Sequence, residues 1–229
     1  MVAAPTVDNS GASAAIGPLA SGDGVEVTPV ELRTAPTLKA YAVAAPPALC
    51  VILGRLGAFG VPPDVVVSGI NPGPNTGRSV LHSGTVGAAT TAANMGISGL
   101  AVSIETGQPS HLETAAAVAA GALGWLAAAP PKSVLNLNVP NRPLAEVRGV
   151  RAAPLARFGT VRTAIGENID GRLQVEFRDT EDELDPDTDT ALVRAGYVTV
   201  TSLLGLRADE GADAHTAVER ALRFSPAAS

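Results

Sequence analysis

Cysteine is almost absent from this 229-residue chain: Cys50 stands alone. A single cysteine excludes an internal disulfide framework and fits a reducing, cytoplasmic setting. With no motif partner, Cys50 reads as a buried helix residue rather than a nucleophile. Aromatic residues make up only 3% against 46% hydrophobic residues overall, so the core is built from alanine, valine and other small side chains. Positive charge is also scarce. With 16 basic and 22 acidic residues the net charge is −6, which excludes a broad electrostatic footprint for polymeric nucleic acid. A single phosphate group needs only a local pocket and is not excluded. No basic start followed by an apolar run marks a secretion signal. The uncharged stretch Thr114–Pro131 is long enough to raise a membrane span. It is mostly alanine interrupted by glycine and tryptophan, which predicts a packed helix and no membrane association. No Gly-x-Gly-x-x-Gly leads from a strand into a helix, which argues against a dinucleotide oxidoreductase.

What the chain does have is concentrated between Asp64 and Ala89, DVVVSGINPGPNTGRSVLHSGTVGAA. Val65-Val66-Val67 reads as a buried strand. Ser68, Gly69, Asn71, Pro72, Gly73, Pro74, Asn75 and Gly77 form a loop too rich in turn formers to continue it. Ser83-Gly84-Thr85, followed by small apolar residues, opens a helix. A strand, a Gly/Asn loop and a helix N-terminus place amide donors and a positive helix end around an anion. Carboxamides and hydroxyls in the loop suit hard metals and phosphate oxygens, so the first expectation is a phosphate site. Ser83 also reads simply as an N-cap, and Asn71 as a turn former.

Around this segment, strand and helix alternate. Val25–Val27 and Leu38–Val43 read as short strands, and Pro46-Pro47 opens a helix to Leu56 with Leu49, Ile52, Leu53 and Leu56 at helical spacing. Val65–Ser68, Leu100–Ile104 and Val134–Val139 read as buried strands separated by helical segments. That alternation predicts an α/β fold with a mostly parallel sheet covered on both faces, whose ligands sit beyond the carboxyl ends of the strands. Arg151–Glu176 reads as short strand-like pieces, Val198–Leu204 as an apolar strand and Ala212–Phe224 as a terminal helix. Asp185, Asp187 and Asp189 superficially suggest calcium. An EF-hand loop then needs Gly and Glu where this chain has Thr190 and Gly196, so the run reads as a solvated loop with Asp189 holding local backbone.

The SGIN, PGPN and HSGTVGAA elements of Asp64–Ala89 resemble the central signature of the SurE survival-protein family of metal-dependent nucleotidases. The likeness continues in order. It includes Ala4-Pro5 with Asn9-Ser10-Gly11-Ala12-Ser13, Gly99-Leu100-Ala101-Val102-Ser103, and Leu135-Asn136-Leu137-Asn138-Val139-Pro140. Thr188-Asp189 with Gly196-Tyr197-Val198 completes it. The resemblance implies a three-layer, Rossmann-type fold over one domain, 1–229. Residues 1–145 would form the α/β core, and 146–229 an extension with a final core strand, a β-hairpin and a C-terminal helix used in oligomerisation.

The same resemblance implies a 5′-nucleotidase that hydrolyses nucleoside monophosphates, with Mg²⁺ or Mn²⁺ as cofactor and a homodimer or homotetramer as the assembly. By residue, it implies Ser10 and Asn71 as metal ligands, Asn71 and Asn75 as catalytic residues, and Asn75, Ser83, Gly84 and Thr85 around the substrate phosphate. His82 lies beside them and reads either as a proton donor or, in better accord with the family pattern, as a loop side chain. Such a phosphomonoesterase uses its metal to lower the pKa of water and offset phosphoryl charge.

The chain departs from the pattern at its front. Met1–Pro5 corresponds to the end of the family's second strand, and the Asn-Asp-Asp-Gly segment with the principal metal-binding aspartates occurs nowhere in the 229 residues. A start site assigned too late and a genuine truncation both account for this. Smaller departures are Ala15-Ile16-Gly17, Leu49 where the family has aspartate, and Thr201-Ser202-Leu203. They leave a second function open, a catalytically impaired phosphate- or nucleotide-binding paralogue. In either case the chain is expected to bind metal weakly.

Overall fold

The structure, a computed structural model, describes residues 1–17, 22, 24–159, 161–170, 172–179 and 184–206. β1 (Val2–Pro5) runs parallel to β3 (Ala40–Val43), and β2 (Val27–Val30) lies antiparallel on the other side of β3. The strand expected over Val25–Val27 therefore forms two residues later. It includes Pro29, which is tolerated because β2 is a sheet edge. Leu38 is in a turn, its N–H donating to the Ala35 carbonyl, so β3 is shorter than its apolar run predicts.

α1 (Pro47–Arg55) starts on a proline whose missing N–H would be unpaired in any case. It buries Ala48, Leu49, Cys50, Val51 and Gly54. Leu56 caps its end and is 72% exposed, so the apolar stripe stops a turn earlier than its periodicity predicts. β4 (Val65–Pro72), α2 (Gly84–Asn94), β5 (Ser98–Ile104), α3 (Leu112–Ala128) and β6 (Val134–Val139) follow in the expected alternation. β7 (Val150–Ala152), the antiparallel pair β8 (Val161–Ile169) and β9 (Arg172–Asp179), α4 (Asp189–Arg194) and β10 (Val198–Leu203) complete the described elements. The helix expected over Ala212–Phe224 lies outside the described residues.

The main sheet has the order β4-β5-β6-β10-β7, parallel through β4, β5 and β6, with β10 antiparallel to β6 and parallel to β7. Both β7 and β10 come from beyond residue 145, so this sheet spans the boundary drawn between core and extension. Helices cover its two faces. Leu100, Val102 and Ile104 of β5 and Leu135, Leu137 and Val139 of β6 pack with Ala115 and Leu126 of α3. Ala101 and Val134 face the other way, onto Val86, Ala89 and Ala93 of α2. This is the three-layer α/β arrangement, and its small-residue core follows from the composition. No helix among the described residues is long and apolar enough to cross a membrane.

One expected core strand is not fully buried. β5 and β6 are buried at every position, whereas β4 alternates between half-buried and exposed residues and Val67 is 50% exposed. β4 ends one sheet and β1 ends the other. Between them a cavity of about 430 Å³ is lined by Ala3, Cys50, Val51, Phe59, Val65 and Val67 among others. A run of three valines predicts a strand sheltered on both faces. Here the open edge leaves part of that surface uncovered.

Candidate functional site

β4 does not run straight into its loop. Its pairing with β5 shifts between Ser68 and Asn71, and Gly69 sits at φ +122°, where a Cβ would collide with the Val102 carbonyl of β5. Only glycine fits both constraints. Beyond the shift, Asn71 pairs with Ser103 at the carboxyl end of the parallel strands, where ligands of such sheets bind.

Asn71 donates through Nδ2 to the Gly73 carbonyl at 2.6 Å, and its Oδ1 accepts from Thr85 Oγ1 at 3.5 Å. The strand end and the helix N-terminus therefore meet, joining the expected metal ligand to the expected phosphate ligand. Ser83 is the N-cap of α2: its Oγ accepts from Val86 N–H at 3.1 Å, and its carbonyl accepts from Gly87 N–H at 2.8 Å. Its hydroxyl oxygen thus has the capping role as well as lying in the motif. The amide N–H groups of Gly84 and Thr85 have no partner among the described residues. They point along the positive end of an eleven-residue helix.

The loop Asn9–Ala14 packs against this helix start. Ser13 Oγ donates to the Leu81 carbonyl at 2.6 Å and Ser13 N–H to the His82 carbonyl at 3.2 Å. Gly87 lies so close to the Ser13 backbone that a Cβ there would collide with it, and the Asn9 carbonyl sits 3.4 Å from where Gly84 would carry one. Ser10 is brought to this side of the fold, but its contacts are with Asp8: its N–H and Oγ both donate to Asp8 Oδ1, at 2.9 and 2.7 Å. Those two bonds hold the exposed Asp8 carboxyl below its ordinary range, the side-chain bond contributing most. No hydrogen bond joins Ser10 to Asn71 among the described residues.

Asn75 is held from beneath. Asn138 accepts the Asn75 N–H at 2.7 Å, and the Asn75 carbonyl accepts from Asn136 Nδ2 at 2.8 Å and Asn138 Nδ2 at 3.0 Å. Its own Nδ2 donates to Ser103 Oγ at 2.7 Å. Two residues further on, Gly77 N–H donates to Asp189 Oδ2 at 2.9 Å. Asp189, fully buried, also accepts from the N–H groups of Ala156 and Thr190 at 2.9 and 2.8 Å. Burial pushes its carboxyl above the ordinary range, and these backbone donors pull it part of the way back. Asp185 and Asp187 are exposed, as a solvated loop requires, but Asp189 is buried at the start of α4. Of the backbone it holds, only Thr190 is local, while Ala156 and Gly77 lie 33 and 112 residues away.

Sequence reasoning named Asn136 and Asn138 only as part of a motif and assigned them no role. The signal was available: Leu-Asn-Leu-Asn-Val places two carboxamides on one face of an otherwise apolar strand. His82 is exposed on the 3-10 turn Gly77–His82. Cys50 is buried, its thiol pushed up by burial, as expected of a packing residue.

Comparison with known proteins agrees with this geometry. The family described as Survival protein SurE matches residues 1–162. Among curated relatives, the 5′-nucleotidase SurE of Nitratidesulfovibrio vulgaris is 42% identical over 163 residues, covering 69% of this chain and 60% of the relative. The 5′/3′-nucleotidase SurE of Cronobacter sakazakii is 41% identical over 162 residues, covering 69% and 63%. The chain thus spans about three-fifths of the length of these relatives. Among solved structures, the SurE protein from Aquifex aeolicus superposes with a TM-score of 0.76 at 26% identity, covering 95% of this chain and 87% of that one. With the strand–loop–helix junction in place and the match running through it, the chain belongs to the SurE survival-protein family.

Proposed function

We propose that this protein is a 5′-nucleotidase, releasing phosphate from nucleoside monophosphates at the junction of β4 and α2. The observation that carries this reading is the Asn71–Thr85 contact beside two unpartnered helix-start amides. The Gly84 and Thr85 N–H groups and the Thr85 hydroxyl bind phosphate oxygens, and the helix dipole favours their charge. Ser83 holds that helix end in place and Asn75 forms the facing wall. Curated relatives named as 5′-nucleotidases, 41–42% identical, support the same chemistry.

The reading includes Mg²⁺ or Mn²⁺ as cofactor, with Asn71 Oδ1 and Ser10 Oγ as ligands. A hard divalent cation takes six or more oxygens, usually including carboxylates. Both of these donors are neutral, and the carboxylate beside Ser10 already accepts two hydrogen bonds from it. No group of three or more acidic, histidine or cysteine side chains among the described residues is arranged to hold a metal. On their own these residues do not fit a tight divalent site, and no step is derived through the metal. A homodimer or homotetramer in the cytoplasm belongs to the same proposal.

The test is phosphate release from adenosine 5′-monophosphate by the 229-residue protein, with excess Mn²⁺ or Mg²⁺ and with chelator. Slow, chelator-sensitive release that disappears in Asn71→Ala supports the reading. Phosphate binding with no turnover under any metal would make the protein a binding module instead.

A further inference from the structure

Toward the carboxyl ends of β5 and β6, beyond Ala101 and Val134, the α2-facing side of the main sheet turns polar where an apolar surface would pack more simply. Asn136 and Asn138, two residues apart on β6, share one face and are fully buried. Beside them in register stand Ser103 on β5 and Thr199 and Thr201 on β10, all buried. Burying a carboxamide costs free energy unless hydrogen bonds replace those lost to water. The only hydrogen bonds of these two side chains among the described residues go to the main chain of Asn75. Asn136 Oδ1 takes no bond at all among those residues, a cost left uncompensated. Leucine at both positions would remove that cost but leave the Asn75 N–H and C=O without these partners, so what the pair secures is the place of Asn75.

We propose that Asn136 and Asn138 are positioning residues for the phosphate-binding loop, gripping Asn75 by its N–H and C=O while Ser103 orients its side chain. The inference rests on reading the β4–α2 junction as a phosphate site. The β4–β5 pairing already fixes Asn71. Asn75 is four residues out on a Gly/Pro loop, and the β6 carboxamides fix it from below. A displaced Asn75 carboxamide loses its hydrogen bond to a charged phosphate oxygen.

Asn136→Leu, Asn138→Leu and Ser103→Ala, each alone and combined with Asn75→Ala, are titrated with inorganic phosphate in the presence of Mn²⁺ and melted in parallel. Each single variant is expected to bind phosphate roughly tenfold to a hundredfold more weakly than the parent, the loss of one hydrogen bond to a charged group. Combined with Asn75→Ala, each is expected to add nothing further, because the loss acts through the Asn75 side chain. A merely structural role predicts the opposite, additive losses that follow the melting temperature. If Asn138→Leu does not fold, Ser103→Ala and Asn136→Leu carry the same comparison. Parent binding with unchanged binding in the variants overturns the inference alone. Failure of the parent to bind phosphate overturns the site reading and the inference with it.

Discussion

Thr85 Oγ1 donates to Asn71 Oδ1 at 3.5 Å, and in the proposed site the same hydroxyl faces the phosphate. Thr85→Val keeps the branching and removes the hydroxyl. Phosphate affinity is then expected to fall by roughly 0.5–1.5 kcal/mol, or more because the ligand is charged. Asn71→Ala is expected to weaken metal-dependent binding while sparing the phosphate affinity that survives in chelator. Calorimetric titration of both variants with phosphate, with and without Mn²⁺, separates the two roles. If both bind like the parent and only melt earlier, the loop is no more than a cap and a turn.

Glu105, at the end of β5, supplies a pH-dependent test at the same scale. Burial raises its carboxyl above the ordinary 4.5, against the Asn141 N–H at 3.3 Å and the charges of Arg142 and Arg194. A raised folded-state pKa means that its contribution to stability is complete below 4.5 and is lost as pH rises through the raised value. Glu105→Gln keeps an acceptor for Asn141 without the ionisation. The variant should melt with the parent at acid pH and above it near neutrality. Parallel melting curves across that range would contradict the assignment.

At the scale of elements, α2 is the part on which the site depends. Ser83→Ala removes its N-cap and should cost about 1 kcal/mol in urea unfolding. Gly87→Ala has a different cause, since the new Cβ meets the Ser13 backbone and forces the Asn9–Ala14 loop away. Overpacking of this kind costs about 1–3 kcal/mol. Because that loop carries Ser10, metal response should weaken along with stability in Gly87→Ala but not in Ser83→Ala. Equal metal titrations for the two variants would detach the loop from the site. Asp189 reaches the same region from further along the chain, tying Gly77 to Ala156, so the segment after residue 145 helps hold the loop.

For the molecule as a whole, the open edge of β4 matters most. Exposed strand edges pair with other chains unless charge or cover prevents it. Val67, half exposed on that edge, is the position at which a charge should act. Val67→Lys is expected to reduce self-association in sedimentation without lowering the melting temperature. A lower melting temperature with unchanged association would mean that Val67 packs within the monomer.

Local pattern was enough for the buried strands β5 and β6, the start of α2 and the Ser83 cap. Each depends on residues close in sequence, where periodicity, turn formers and capping groups act directly. It was not enough for the end of β4: Ser68–Pro72 reads as loop from its turn formers, and pairing with β5 past the register shift keeps it in the strand. The family likeness was likewise carried by short, ordered motifs. Tertiary structure decided the rest. Val65-Val66-Val67 reads as buried in any sequence, but whether a neighbouring strand covers it is a property of the sheet. That the N–H and Oγ of Ser10 both turn to Asp8 is likewise a property of the folded loop. The grip of Asn136, Asn138 and Asp189 on Asn75 and Gly77 spans separations of 61, 63 and 112 residues. No local propensity encodes such a contact; it exists only once β6 and α4 have been brought beneath the loop.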